Sequence, residues 1–254
     1  MFKIGRCFSA FNKGDTPYRE AAKLGYSYLE VPLRGLKRMS NKKLEQIRAN
    51  AAGHNLEIYS TNLFFKGSVR LFVSQRRKEK LFAYAEKVLA KAQLLGVKVA
   101  VLGSGHARKK PANISHKQAQ IELVDFFIRI ADIAAGYDIV IALEPLNREE
   151  TNMINSTADG IEFVKLVNRS NFRLLIDYYH MMKENEDMSV IQLAAPVLAH
   201  AHIATHDRKF PAQERFDEYR EFLDALHNVS YNGRITIESN FAGESDVRHL
   251  DIRQ

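Results

Sequence analysis

An α/β fold closing as a single (β/α)8 TIM barrel is the architecture this sequence predicts, and three observations predict it. Amphipathic helical stretches alternate with short β-branched or aromatic runs along the 254 residues. Glycine stands at several of the joints, and the runs number eight. Near-continuous apolar strands separated by helices imply parallel pairing with both faces covered, and eight such units close naturally into a barrel.

The elements follow in order. "MFKIGR" supplies the first strand, and "AAKLG" ends a helix before the second, "YSYLEVPL". "RANAAGHN" precedes "LEIYSTN", "KAQLLG" precedes "VKVAVLG", and "ADIAAG" precedes "YDIVIALE". A glycine just past a helix end suits the left-handed cap, which predicts that conformation at Gly25, Gly53, Gly96 and Gly136. "FRLLID" (172–177), "VLAHAHI" (197–203) and "RITIE" (234–238) complete the strands, with crossover helices in "SHKQAQIELVDFFIRIADIAAG" and "STADGIEFVKLV". An open doubly wound sheet would carry a glycine-rich phosphate fingerprint after the first strand, and "CFSAFNKGD" supplies none. No Pro/Gly/Ser linker divides the chain, so one barrel domain over residues 1–254 is expected.

Composition narrows the function classes. With 46% hydrophobic and 26% charged residues the chain belongs with globular proteins, not with disordered or fibrous ones. The lone Cys7 excludes an internal disulfide framework. Lys3 and Arg6 interrupt what would have to be an apolar signal core, and no run approaches the roughly 20 apolar residues of a membrane span, so a cytoplasmic protein without a membrane partner is expected. The net charge of +7 is spread along the chain, apart from short clusters such as "SQRRKEK" and "ARKKP". That distribution reads as a solvated basic face with no nucleic-acid partner, or as attraction for anionic substrates such as sugar phosphates.

The C-terminal strand ends form the active face of such a barrel. Glu144 ends the fifth strand, Asp177 the sixth and Glu238 the eighth, while His202 lies near the end of the seventh. A carboxylate at a strand end is by itself often a helix cap or a loop ion pair. Three converging on one rim would repel and be forced to protonate unless a cation joined them. Two Glu, one Asp and one His form a hard donor set that suits manganese first, or magnesium, with cobalt or zinc tolerated. Four protein ligands would leave open positions on a six-coordinate ion for two neighbouring substrate oxygens. His200, two positions from His202, faces the same way roughly 7 Å deeper and reads as a hydrogen-bonded core histidine.

"EPLNREE", "LLIDYYHMMKE", "HAHIATHDR" and "ITIES" resemble, in order and spacing, the motifs of the xylose-isomerase-like sugar isomerase/epimerase barrels, nearest the ketose 3-epimerase and hydroxypyruvate isomerase branch. "VLGSGHARKKP" also looks like the strand-four segment of such proteins. The resemblance places metal ligands at Glu144, Asp177, His202 and Glu238. It places substrate contacts at Glu150, His180 and Arg208. It implies a metal-dependent isomerase that epimerises a ketose, or a sugar phosphate, at C3 through an enediolate, with Glu144 and Glu238 as the acid/base pair working from opposite faces. A homo-oligomer is implied by the same analogy. Ser239 stands where a proline commonly follows the last glutamate, and "KFPAQERFDEY" is shorter than the usual epimerase loop, which leaves the sugar open.

Alternatives use the same rim. They are an aldose–ketose isomerase of hydroxypyruvate type, an inosose dehydratase, a DNA-repair endonuclease-like hydrolase and a non-catalytic sugar-binding barrel. The endonuclease would need more metal ligands than Glu30 and His106 on the first four strands, and intact acid/base glutamates argue against the binder. "GSGHARKKP" reads as a basic loop, with a phosphate cradle using Arg108 and Lys109 as the second reading. Arg148 and Glu149 read as surface residues.

Overall fold

The computed structural model describes residues 2–11, 13–240 and 244–250. Eight strands run β1 (Lys3–Cys7), β2 (Tyr28–Pro32), β3 (Glu57–Asn62), β4 (Val99–Leu102), β5 (Val140–Leu143), β6 (Phe172–Asp177), β7 (Leu198–Ile203) and β8 (Arg234–Ile237). Each pairs in parallel with the next, and β8 pairs with β1 (Ile4 opposite Ile235), so the sheet closes into a barrel. The predicted fold class is therefore the observed one.

Crossover helices such as Gln75–Leu95, His116–Ala135 and Thr157–Val167 carry their buried residues on one face, against the outward side chains of the strands. Ser156 and Asp159 form a reciprocal capping box at the start of the last of these, which fixes where the chain turns from the loop after β5 into helix. The outward strand residues and the helices share one large apolar core. A separate small cluster, Val99, Val101, Ala142 and Leu175, comes from alternating strand positions and fills part of the barrel's inner face. Beside it that inner face is polar: Glu30, Ser60, His200 and Thr236 are all fully buried.

The glycine caps need correction at two of four joints. Gly25 and Gly96 have φ of 92° and 89°, as expected of left-handed caps. Gly53 and Gly136 stay right-handed at −61° and −62°. There the helical turn runs on for two residues and the reversal falls on Asn55 (φ 58°) and Asp138 (φ 55°), whose short polar side chains tolerate the left-handed region. Among the described residues no helix is long and apolar enough to cross a membrane.

Candidate metal and substrate site

Glu144 follows β5 directly, and its backbone N–H donates to the Leu102 carbonyl at 3.3 Å, which extends the β4–β5 pairing by one residue. Its carboxylate has room because the residue opposite is Gly103, where a Cβ would collide with Glu144 Oε2. Asp177 is the last residue of β6 and caps the helix Tyr178–Lys183, its Oδ1 accepting from the Tyr179 N–H at 2.9 Å. His202 lies in β7, fully buried. Glu238 follows β8, its N–H donating to Ile203 O at 3.1 Å. Parallel strands in register thus bring the four side chains to one rim.

One ligand-capable atom from each of these residues lies within 4.8 Å of the others. Glu144 Oε1, Asp177 Oδ2 and His202 Nδ1 are buried without an aligned hydrogen-bond partner, although Nδ1 lies 3.3 Å from Glu144 Oε1. Buried polar atoms in proteins are as a rule paired, and although others here also lack partners, such as Thr61 Oγ1 and His202 Nε2, three orphans facing a common point are the arrangement a cation would satisfy. The donor set is hard oxygen with one imidazole and fits a divalent ion.

Without a cation the charges strain one another. Burial, reinforced by the charge of Glu144, pushes Asp177 up to about 7. Burial likewise raises Glu144. Burial would also raise Glu238, but His202 and Arg208 outweigh it and hold the carboxyl below its usual range. Arg208 donates to Glu238 Oε2 at 2.8 Å, and Asn62 donates to Oε1 at 3.1 Å.

The resemblance-derived contacts gather at the same opening. Arg208 donates weakly to Glu150 Oε1 at 3.4 Å and lies over the Tyr179 ring, 4.6 Å from its centroid. Its backbone sits at φ 56°, a costly conformation for a non-glycine residue and one that turns this side chain at the end of the Thr205–Arg208 turn. His180 Nδ1 lies 3.2 Å from the Asn147 N–H and 2.9 Å from its side-chain amide. Two such donors make Nδ1 an acceptor, so the proton is assigned to Nε2, 3.7 Å from Asp177 Oδ2. Burial, with Arg208 nearby, lowers His180 to about 3 and keeps the ring neutral. Glu144, Glu150, His180, Arg208 and Glu238 line one cleft of about 210 Å³, with Arg34, Lys66 and His106 on its outer side.

Some residues the sequence left aside take part. Arg108 is not a phosphate ligand in a basic loop. It ends the helix Gly105–Arg108, is 1% exposed, and donates to the carbonyls of Gly103 and Glu144 at 2.7 Å each and of Met153 at 3.1 Å. Asn62, Asn147 and Glu30 were given no part in the site, although Asn147 lies within "EPLNREE" and Glu30 was weighed as an endonuclease ligand, because each works through a partner distant in sequence. Arg148 and Glu149 are surface residues as read, paired with Glu184 and Lys183.

Residues 18–250 match the family model described as "Xylose isomerase-like TIM barrel". D-psicose 3-epimerase of Agrobacterium fabrum is 28% identical over 232 residues, covering 87% of this chain and 78% of the relative. L-ribulose 3-epimerase of a Methylomonas species is 32% identical over 231 residues, covering 86% and 76%. A solved D-allulose 3-epimerase from Methylomonas, in complex with D-allulose, superposes with a TM-score of 0.78 at 25% identity, covering 97% of this chain and 86% of that one.

Proposed function

The chain belongs to the xylose isomerase-like TIM barrel family, and from that premise we propose that it is a divalent-metal-dependent ketose 3-epimerase. The observation that carries the proposal is that Glu144, Asp177, His202 and Glu238 each bring a ligand-capable atom to one point beside a sugar-sized cleft, those of the first three being buried and orphaned. Relatives named as D-psicose and L-ribulose 3-epimerases support the choice of substrate class.

In this reading Glu144, Asp177, His202 and Glu238 hold the ion, manganese first among the candidates. When bound, the ion supplies Lewis acidity toward the ketose oxygens and lowers the cost of removing the proton beside the carbonyl. Glu238 and Glu144 enter the cleft from β8 and β5, so one takes the C3 proton and the other returns a proton to the opposite face. Arg208 fixes the Glu238 carboxylate from one side while Asn62 fixes it from the other, which holds Oε1 and Oε2 in a defined plane. His180 stays neutral and offers Nε2–H as a donor to a substrate oxygen. Glu150 steadies Arg208 and contacts the sugar at the outer end. Arg34 and Lys66 on the outer side make phosphorylated ketoses part of the substrate class to be tried.

The test is to incubate manganese-loaded protein with ketoses and ketose phosphates in D₂O and follow the products by NMR. Deuterium at C3 with inverted configuration is expected. Transfer between C1 and C2 would make the protein an aldose–ketose isomerase, loss of water a dehydratase, and absence of exchange with every metal and sugar a binder. Glu238→Gln is expected to lower exchange at least a thousandfold; a variant with near-normal turnover would remove Glu238 from the acid/base pair.

A further inference from the structure

His202 faces the carboxylate cluster with one ring nitrogen and Glu30 with the other: Nδ1 lies 3.3 Å from Glu144 Oε1 and Nε2 lies 3.0 Å from Glu30 Oε1, each a close ion-pair contact and neither an aligned hydrogen bond. Glu30 comes from β2, is fully buried, and has no part in the reaction as described. Its second oxygen is held by three neighbours. Oε2 accepts from the Ser60 hydroxyl at 2.6 Å and the Thr236 hydroxyl at 3.0 Å, and His200 Nε2 lies 2.9 Å away. Tyr28 closes the chain, its hydroxyl 2.8 Å from Thr236 Oγ1.

A carboxylate saturated in this way on one oxygen cannot swing, so its other oxygen is fixed beside His202. An ionised carboxylate only accepts, which places a proton on Nε2. A ligating imidazole is neutral and has a single proton, so Nδ1 is left with its lone pair toward the cluster. We propose that Glu30 is a positioning residue for the metal site: anchored by Ser60, Thr236 and His200, it fixes the tautomer and ring plane of His202 so that Nδ1 is the ligating nitrogen. The inference rests on the metal-dependent reading of the site. It also accounts for a buried acid in the middle of a strand, and for His200 lying one layer below the rim. A second ion between Glu30, His200 and His202 is disfavoured because Glu30 Oε2 already has three donors.

Two measurements on the full chain test it. In calorimetric titration with manganese, Glu30→Gln should bind ten- to a hundredfold more weakly than wild type, at one ion per chain, because the amide offers N–H where an acceptor is required. Binding within threefold of wild type, or two ions per wild-type chain, would overturn the proposal. If the variant does not fold, the wild type decides: ¹⁵N-histidine NMR of the zinc-loaded protein should show His202 protonated at Nε2 and ligated through Nδ1. Ligation through Nε2 would overturn it. A wild-type protein that binds no manganese or zinc would instead remove the metal-dependent function itself, and this inference with it.

Discussion

Asp177 and His180 stand three positions apart and titrate in opposite directions, and both shifts begin with burial. Burial raises the acid to about 7 because its charged form loses water. The same loss lowers the imidazole to about 3. For His180 the folded protein binds fewer protons than the unfolded chain between about pH 3 and pH 6.5. Its contribution to stability is therefore complete above 6.5 and is lost as pH falls toward 3. Going from pH 7 to pH 5, urea unfolding of the metal-free wild type should lose up to about 2 kcal/mol more than His180→Gln loses. The Asp177 contribution has the opposite sign and is present in both proteins, so the difference reports the histidine together with its contact to Asp177 Oδ2. Equal losses would mean that His180 titrates normally.

Between elements, the joints that matter are those linking one strand end to the next. Arg108 reaches from the short helix after β4 to the carbonyls of Gly103, Glu144 and Met153, and so ties the exits of β4 and β5 together beneath the Glu144 carboxylate. Its planar fork suits several carbonyls at once, which a lysine ammonium cannot reproduce. Arg108→Met leaves those acceptors buried and unpaired, and should cost about 3 kcal/mol or more in chemical denaturation, with Arg108→Lys recovering little of it. A loss below about 1 kcal/mol would show the staple to be unimportant. The basic stretch "GSGHARKKP" thus divides by packing: Arg108 points inward and is buried, while Lys109 is exposed.

For the whole molecule, the barrel gathers like charges at its mouth, and in the proposed reading a bound cation would compensate them. A ligand that binds only the folded state stabilises it by about 2.7 kcal/mol at a hundred times its dissociation constant. For a chain of this size that corresponds to a rise in melting temperature of roughly 5–10 °C on adding manganese, reversed by a chelator. A melting temperature indifferent to manganese, magnesium, cobalt and zinc would contradict the metal-dependent reading. The net charge of +7 survives at this scale as a diffuse field, with Arg34, Lys66 and Arg208 at the cleft as its local expression.

The eight-unit alternation, the strand positions and the four rim residues were legible in the sequence because each leaves a local trace. Strands differ from helices in apolar period, and a carboxylate that ends a buried run is conspicuous where it stands. Glu150, His180 and Arg208 were singled out only through spacing shared with a family, and the structure brings them to the same cleft. What the tertiary structure decided lies in pairings across the barrel. Glu30 meets His200 and His202 some 170 positions away, Asn62 meets Glu238, and Arg108 turns from solvent to carbonyls. Such partners are chosen by closure of the sheet and by the requirement that buried polar groups be satisfied, conditions that exist only once distant strands have come together.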